Sequence, residues 1–334
     1  MTKENILLVR VGRLGDMIMI TAALRFLLDH YPTAQFQILT STDGIRALKD
    51  FDERITQFIL YNRKHPLSYW HRRQIKAQII KSEFTQIYCF ETKKSFAALF
   101  GETNAAKYIL TNQFHADLNY AHRCLKLARQ KVAPEKPYWI NMPVPEAGRK
   151  KLASLLERNS ISDDEFLIGL HPSFSGLAKN PLRRNKLAKH KIWPATHWAR
   201  LAELFNDYGQ QYGIKIRVVM DLLPQEIKLG ESINRICQRP ITVFSDPPDF
   251  QRYKALLARM NLLVCPDTGP MHLAAAENTS VVALFSGKNP DDCGPFTDPA
   301  NFHVIRAEDC SNSQLGLCAI TPDTIFEACL PFIA

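Results

Sequence analysis

The sequence lacks several features that each exclude a class of protein. Its eight cysteines include no CxxC pair. The late group Cys293, Cys310, Cys318 and Cys329 lacks zinc-ligand spacing, so no metal is expected and the thiols read as small buried hydrophobes of a reduced, cytosolic protein. The longest apolar runs, such as Leu262 to Cys265 and Val281 to Phe285, fall far short of the roughly 20 residues of a membrane span, so any membrane role is expected to be peripheral. After the opening MTKENILLVRVGRLGD no cleavage-site pattern follows, and no signal peptide is expected. There is no GxGxxG, and no acid follows the second apolar run until Asp43, which argues against a nicotinamide dinucleotide site.

What remains is ordinary globular composition, 46% hydrophobic and 22% charged, in 334 residues, too long for one core and suited to two domains. The formal charge of +9 favours an anionic partner: nucleic acid, a phosphorylated sugar or an anionic membrane surface. No stretch alternates aromatics with Arg or Lys as a stacking platform for single strands needs, so nucleic acid is not expected.

Apolar runs alternate with helix-period segments throughout. Strands are expected at Ile6 to Val11, Phe36 to Thr40, Ile55 to Leu60, Gln86 to Phe90 and Lys107 to Leu110, with a helix at Met17 to His30. The rhythm resumes with strands at Phe166 to Leu170, Ile216 to Met220, Ile241 to Phe244, Leu262 to Cys265, Val281 to Phe285 and His303 to Arg306. Parallel sheets with crossover helices follow, an α/β class with two doubly wound halves. Three prolines in Lys136 to Pro145 precede a charged helix at Glu146 to Asn159, which sets the expected boundary near residue 160: domains 1–160 and 161–315, with a terminal helix in 316–334.

Two strand-to-helix turns carry the chemistry. The first strand empties into Val11-Gly12-Arg13-Leu14-Gly15-Asp16, where glycines admit a ligand and a following helix offers free N–H groups. Asp16 is either a helix cap or a carboxylate facing a ligand cleft. The second turn is Asp267-Thr268-Gly269-Pro270-Met271-His272, a polar strand end followed by a glycine and a first-turn proline, which suits a diphosphate. Met271 reads as a core residue, and His272 reads as a residue of the helix's inner face before it reads as catalytic.

These turns, in this order, look like the two signatures of the heptosyltransferase family, glycosyltransferase family 9. The first is Ile6-Leu7-Leu8-Val9-Arg10 with Leu14-Gly15-Asp16 and Thr21-Ala22-Ala23-Leu24; the second runs from Asp267 to Ala276 with Val281 to Phe285. The resemblance implies a GT-B fold of two Rossmann-like domains facing a central cleft, acceptor on the first and nucleotide sugar on the second, with the last helix returning to the first domain. It also implies inverting, metal-independent transfer of a heptose from ADP-heptose to a lipopolysaccharide precursor, Kdo-lipid A or inner-core heptose, without a cofactor, at the cytoplasmic face of the inner membrane.

In that reading Asp16 is the general base and Lys191, within Lys191-Ile192-Trp193-Pro194, similar to a family Lys-x-Trp-Pro element, offsets the leaving-group charge. Ser173, Glu226, Asp267, Thr268, Gly269, Pro270, Met271 and His272 would bind the donor, with Glu226 on the ribose. Gly15 and Arg13 would meet the acceptor, the arginine favouring an acidic one. Departing from the family, Asp221-Leu222-Leu223-Pro224 stands where glycine is usual. Lys179, Arg183, Arg184, Lys186 and Lys189 form a basic segment with no acid, either a solvated loop or a clamp on phosphate. Other readings are a GT-B enzyme with another nucleotide sugar, a sugar-nucleotide epimerase, or a non-catalytic nucleotide- or nucleic-acid-binding protein.

Overall fold

Each expected strand forms, and every strand runs parallel to its neighbours. The computed structural model describes residues 4–133, 135–174 and 190–333, and the chain divides into two units, Met1–Pro143 and Val144–Ala334. In the first unit β1 (Asn5–Val9), β2 (Gln35–Thr40), β3 (Ile55–Leu60), β4 (Gln86–Cys89) and β5 (Ala106–Ile109) form one sheet in the order β3-β2-β1-β4-β5. In the second, β6 (Phe166–Leu170), β7 (Ile216–Asp221), β8 (Thr242–Phe244), β9 (Leu262–Pro266), β10 (Ser280–Phe285) and β11 (Phe302–Arg306) take the order β11-β10-β9-β6-β7-β8. Helices on both faces explain why the central strands are unbroken apolar runs: Ile6 to Val9 and Leu262 to Cys265 are buried throughout. Each such Leu, Ile or Val contributes about 1.5–3 kcal/mol of burial.

Each sheet begins at a central strand, winds outward to one side, then returns to wind the other way. The reversal falls between β1 and β4 in the first unit and between β6 and β9 in the second. In open α/β sheets wound this way, ligands bind beyond the carboxyl ends of the two strands at such a reversal.

Three expectations are revised. The helix over Met17 to His30 is two helices, Leu14–Ile18 and Thr21–His30; the Thr21 hydroxyl bonds the Ile18 carbonyl at 2.7 Å and accepts the Asn141 N–H at 3.0 Å, a local alternative to continuing the turn. The division falls at Pro143 rather than near 160, because the helix Glu146–Arg158 packs on Phe250–Arg259 of the second unit. Their backbones approach so closely that a Cβ on Gly148 would lie 2.5 Å from the Gln251 carbonyl oxygen. The last helix, Pro322–Cys329, spends its apolar face within the second unit: Ile325 and Cys329 join the core around Trp198 and Phe205, and Phe326 lies 5.6 Å from the Phe205 ring.

All eight cysteines are free, but only Cys89, Cys124, Cys265 and Cys329 are buried, and Cys318 is exposed. Among the described residues no single helix is long and apolar enough to cross a membrane.

Glu277 follows the helix Gly269–Ala276, where carbonyl groups disfavour an anion. Its Oε1 has no hydrogen-bond partner among the described residues. Burial pushes its carboxyl up to about 8, against the pull of Lys254 and Arg149. The folded state therefore holds a proton that the unfolded chain releases near pH 4.3. This contribution is complete below that pH and is lost as pH rises toward 8. Urea midpoints of the wild type should fall between pH 5 and 8, and those of Glu277→Gln should fall distinctly less; parallel pH profiles would refute the assignment.

Candidate active site

At the first switch point, Arg10 follows the end of β1 and the chain turns through Gly12 into the short helix Leu14–Ile18. Asp16 is the third residue of that helix and not, as the sequence pattern indicated, the residue before it. One carboxylate oxygen accepts the Arg13 N–H at 2.9 Å, closing the helix start, and the other accepts Arg10 Nη2 at 2.8 Å. The helix-cap reading of Asp16 is thus met, and its side chain is still 43% exposed. Gly12 is required by Asp16 itself, since a Cβ there would sit 2.7 Å from Asp16 Oδ2. Gly15 lies in the first turn, and Arg13 is exposed beside it.

Behind Asp16 stands a group that sequence reading missed. Glu91, just beyond β4, is 5% exposed. It accepts the Val11 N–H at 2.8 Å and Arg63 Nη2 at 3.1 Å, and lies 3.6 Å from Arg10 Nη1. Arg63 also donates to the Val11 carbonyl. The Arg10 guanidinium lies 4.6 Å from the Tyr120 ring, whose hydroxyl bonds the Phe90 carbonyl at 2.7 Å. Burial holds the Tyr120 phenol well above its ordinary value, so it stays neutral. The available signal was positional: Glu91, like Asp16, is an acid where a central parallel strand ends.

At the second switch point β9 delivers Asp267 and the helix Gly269–Ala276 begins. Lys191 Nζ bonds Asp267 Oδ2 at 2.6 Å and the Asp267 carbonyl at 3.1 Å, with both side chains largely buried. The Trp-Pro element explains how Lys191 arrives there. Trp193 is sunk in the core, donates to the Ile320 carbonyl at 2.9 Å and meets the Trp198 ring edge-on at 4.7 Å, while Pro194 caps the helix Ala195–Tyr212. Thr268 turns its hydroxyl back to the Pro266 carbonyl at 3.1 Å and leaves the helix start without a side-chain cap. The Gly269 and Met271 N–H groups thus stand at a helix start without a side-chain cap, Pro270 having none to offer. Met271 is fully buried and His272 is 6% exposed, so the Met271 side chain is a core group and not a ligand contact.

Ser173 and Glu226 come together from the loops after the neighbouring strands β6 and β7. The buried Ser173 hydroxyl donates to Glu226, which also accepts the Leu223 N–H at 3.1 Å. Ser173 therefore orients Glu226 rather than presenting a free donor to phosphate. Burial lowers the pKa of nearby His171 although Glu226 opposes it, which keeps the imidazole neutral. Asp221 pairs with Arg252 at 3.3 Å, both buried. The basic run Lys179, Arg183, Arg184, Lys186 and Lys189 lies outside the described residues.

Residues 180–321 match the model of glycosyltransferase family 9 (heptosyltransferase). The chain is 26% identical over 220 residues to lipooligosaccharide heptosyltransferase 2 of Haemophilus influenzae, covering 62% of this chain and 58% of that one. The chain spans between a third and three fifths of the length of the curated relatives it matches first. Its fold is similar to that of a family 9 glycosyl transferase from Veillonella parvula, with a TM-score of 0.80 at 17% identity over 99% and 97% of the two chains. It is also similar to that of the ADP-heptose lipopolysaccharide heptosyltransferase II of E. coli, with a TM-score of 0.72 at 20% identity over 98% of each. Two Rossmann-like units of this kind constitute the GT-B fold.

Because Glu91 is buried against two arginines and a backbone N–H, Glu91→Ala should lower unfolding free energy by about 3–5 kcal/mol, the usual cost of removing one partner from a buried pair. Glu91→Gln, which keeps an acceptor for Val11, should cost less. Equal losses in urea melts of the two variants would contradict this account of the network.

Proposed function

From a chain that is similar in sequence and fold to glycosyltransferase family 9, we propose an inverting, metal-independent glycosyltransferase that moves a heptose from ADP-heptose to a lipopolysaccharide-core acceptor. The observation that carries the reading is Asp16, a carboxylate fixed on both oxygens yet partly exposed at the carboxyl end of a central strand. Each of its oxygens keeps a lone pair for an acceptor hydroxyl.

In this reading Asp16 takes the hydroxyl proton as that oxygen attacks the anomeric carbon of the donor. The bond to the diphosphate oxygen breaks on the opposite side, which inverts the centre. Negative charge collects on the departing nucleoside diphosphate. Lys191, already held beside Asp267, and the open start of the helix Gly269–Ala276 offset that charge. Thr268, Gly269, Pro270 and His272 shape the diphosphate end of the site, and Glu226, held by Ser173, is suited to ribose hydroxyls. Gly15 and the exposed Arg13 stand on the acceptor side, where an arginine favours an acidic sugar. A lipid-linked acceptor implies a cytoplasmic protein working peripherally at the inner membrane.

The test is transfer itself, measured as product from ADP-heptose and a Kdo-lipid A acceptor. Asp16→Asn should lose roughly 100- to 10,000-fold in rate with unchanged ADP affinity. Full activity in that variant would remove the base mechanism and favour a protein that only binds nucleotides.

A further inference from the structure

No acidic residue occurs between Glu53 and Glu83, while Arg63, Lys64, Arg72, Arg73, Lys76 and Lys81 fall within that stretch. Part of this charge is used internally. Arg63 holds Glu91, Arg72 bonds the Tyr61 hydroxyl and the Ser95 carbonyl, and Lys76 pairs with Glu102. Lys64, Arg73 and Lys81 remain exposed.

The same stretch exposes its largest apolar groups. The helix Ser68–Lys81 buries Ile75 and Ile79 on one face, but Leu67 is 60% exposed, Tyr69 64% and Trp70 59%, with Ile80 at 41%. Tyr69 and Trp70 meet edge to face at 5.7 Å, and the Arg73 guanidinium lies 5.8 and 5.7 Å from their ring centres. Apolar side chains massed at a helix start and rimmed by cations form a surface feature with a definite chemistry. Tyr and Trp have an apolar body and a polar tip, which suits them to the level of lipid headgroups. Basic residues beside them gain about 1 kcal/mol each near an anionic leaflet. Single-stranded nucleic acid fits less well, because rings packed edge to face on one another leave no separate platforms for successive bases.

We propose that Leu67, Tyr69 and Trp70 seat this unit on an anionic phospholipid surface, with Lys64, Arg73 and Lys81 supplying the attraction. The biological sense of the contact rests on the lipid-linked acceptor proposed above, but the contact can be measured without any transfer.

The full chain is sedimented with vesicles of phosphatidylglycerol and phosphatidylethanolamine, and separately with phosphatidylcholine. The wild type should pellet with the anionic vesicles and much less with phosphatidylcholine. Arg73→Glu, which changes the charge by two, should weaken binding about 25-fold, at about fivefold per charge. The pair Tyr69→Ser with Trp70→Ser should abolish most of it, and Leu315→Ser, which alters an exposed leucine of the other unit, should not. Circular dichroism and ADP titration of each variant establish that it is folded. Binding that is absent in the wild type, indifferent to lipid charge or unaffected by the helix substitutions overturns the proposal. So does loss of oligonucleotide binding or of self-association in the same variants without any vesicle binding. A protein that binds ADP but no vesicles sinks this surface and leaves the transferase reading standing, and the reverse result does the opposite.

Discussion

Parallel pairing is the constraint from which the chemistry of this chain follows. A parallel strand must be regained by a crossover, so all strands of a sheet end along one edge and helices begin beside them. Where the winding reverses, two of those ends diverge, and whatever the loops carry there is presented together. In the first unit that is Asp16 after β1 and Glu91 after β4; in the second it is Ser173 after β6 and Asp267 after β9. These candidate residues are scattered in sequence because the sheet, rather than the chain order, gathers them.

At both edges a carboxylate is held by a cation, with different consequences. Lys191 and Asp267 are each about 15% exposed and meet at 2.6 Å, so the ammonium is positioned before any ligand arrives. A bound diphosphate would meet a preset cation and a helix start lacking a side-chain cap, which reduces reorganisation when charge develops. Arg10 divides its guanidinium between the partly exposed Asp16 and the buried Glu91. Glu91 and Tyr120 hold Arg10, and Arg10 holds Asp16, so the partly exposed carboxylate owes part of its orientation to groups that are largely buried.

The strands were readable because buried parallel strands are near-continuous runs of Leu, Ile and Val, and that pattern survives in single sequence. The two turns were readable because glycine and aspartate cluster where β1 and β9 end, joined by proline after β9. What could not be read depended on distant partners. The break before Thr21 requires Asn141, the place of the helix Glu146–Arg158 requires Gln251 to meet Gly148, and Ser173 is taken up by Glu226 from the next strand's loop. Arg63 and Glu91 lay outside any motif and become a site only when β1 and β4 pair.

We propose that the turn after β9, with Lys191, forms a site for a nucleoside diphosphate. Calorimetric titration of the EDTA-treated protein with ADP, UDP and GDP, repeated on Asp267→Ala, tests it directly. ADP should bind best, and the substitution should remove the binding. Failure to bind any of the three, or binding that Asp267→Ala leaves intact, would contradict it.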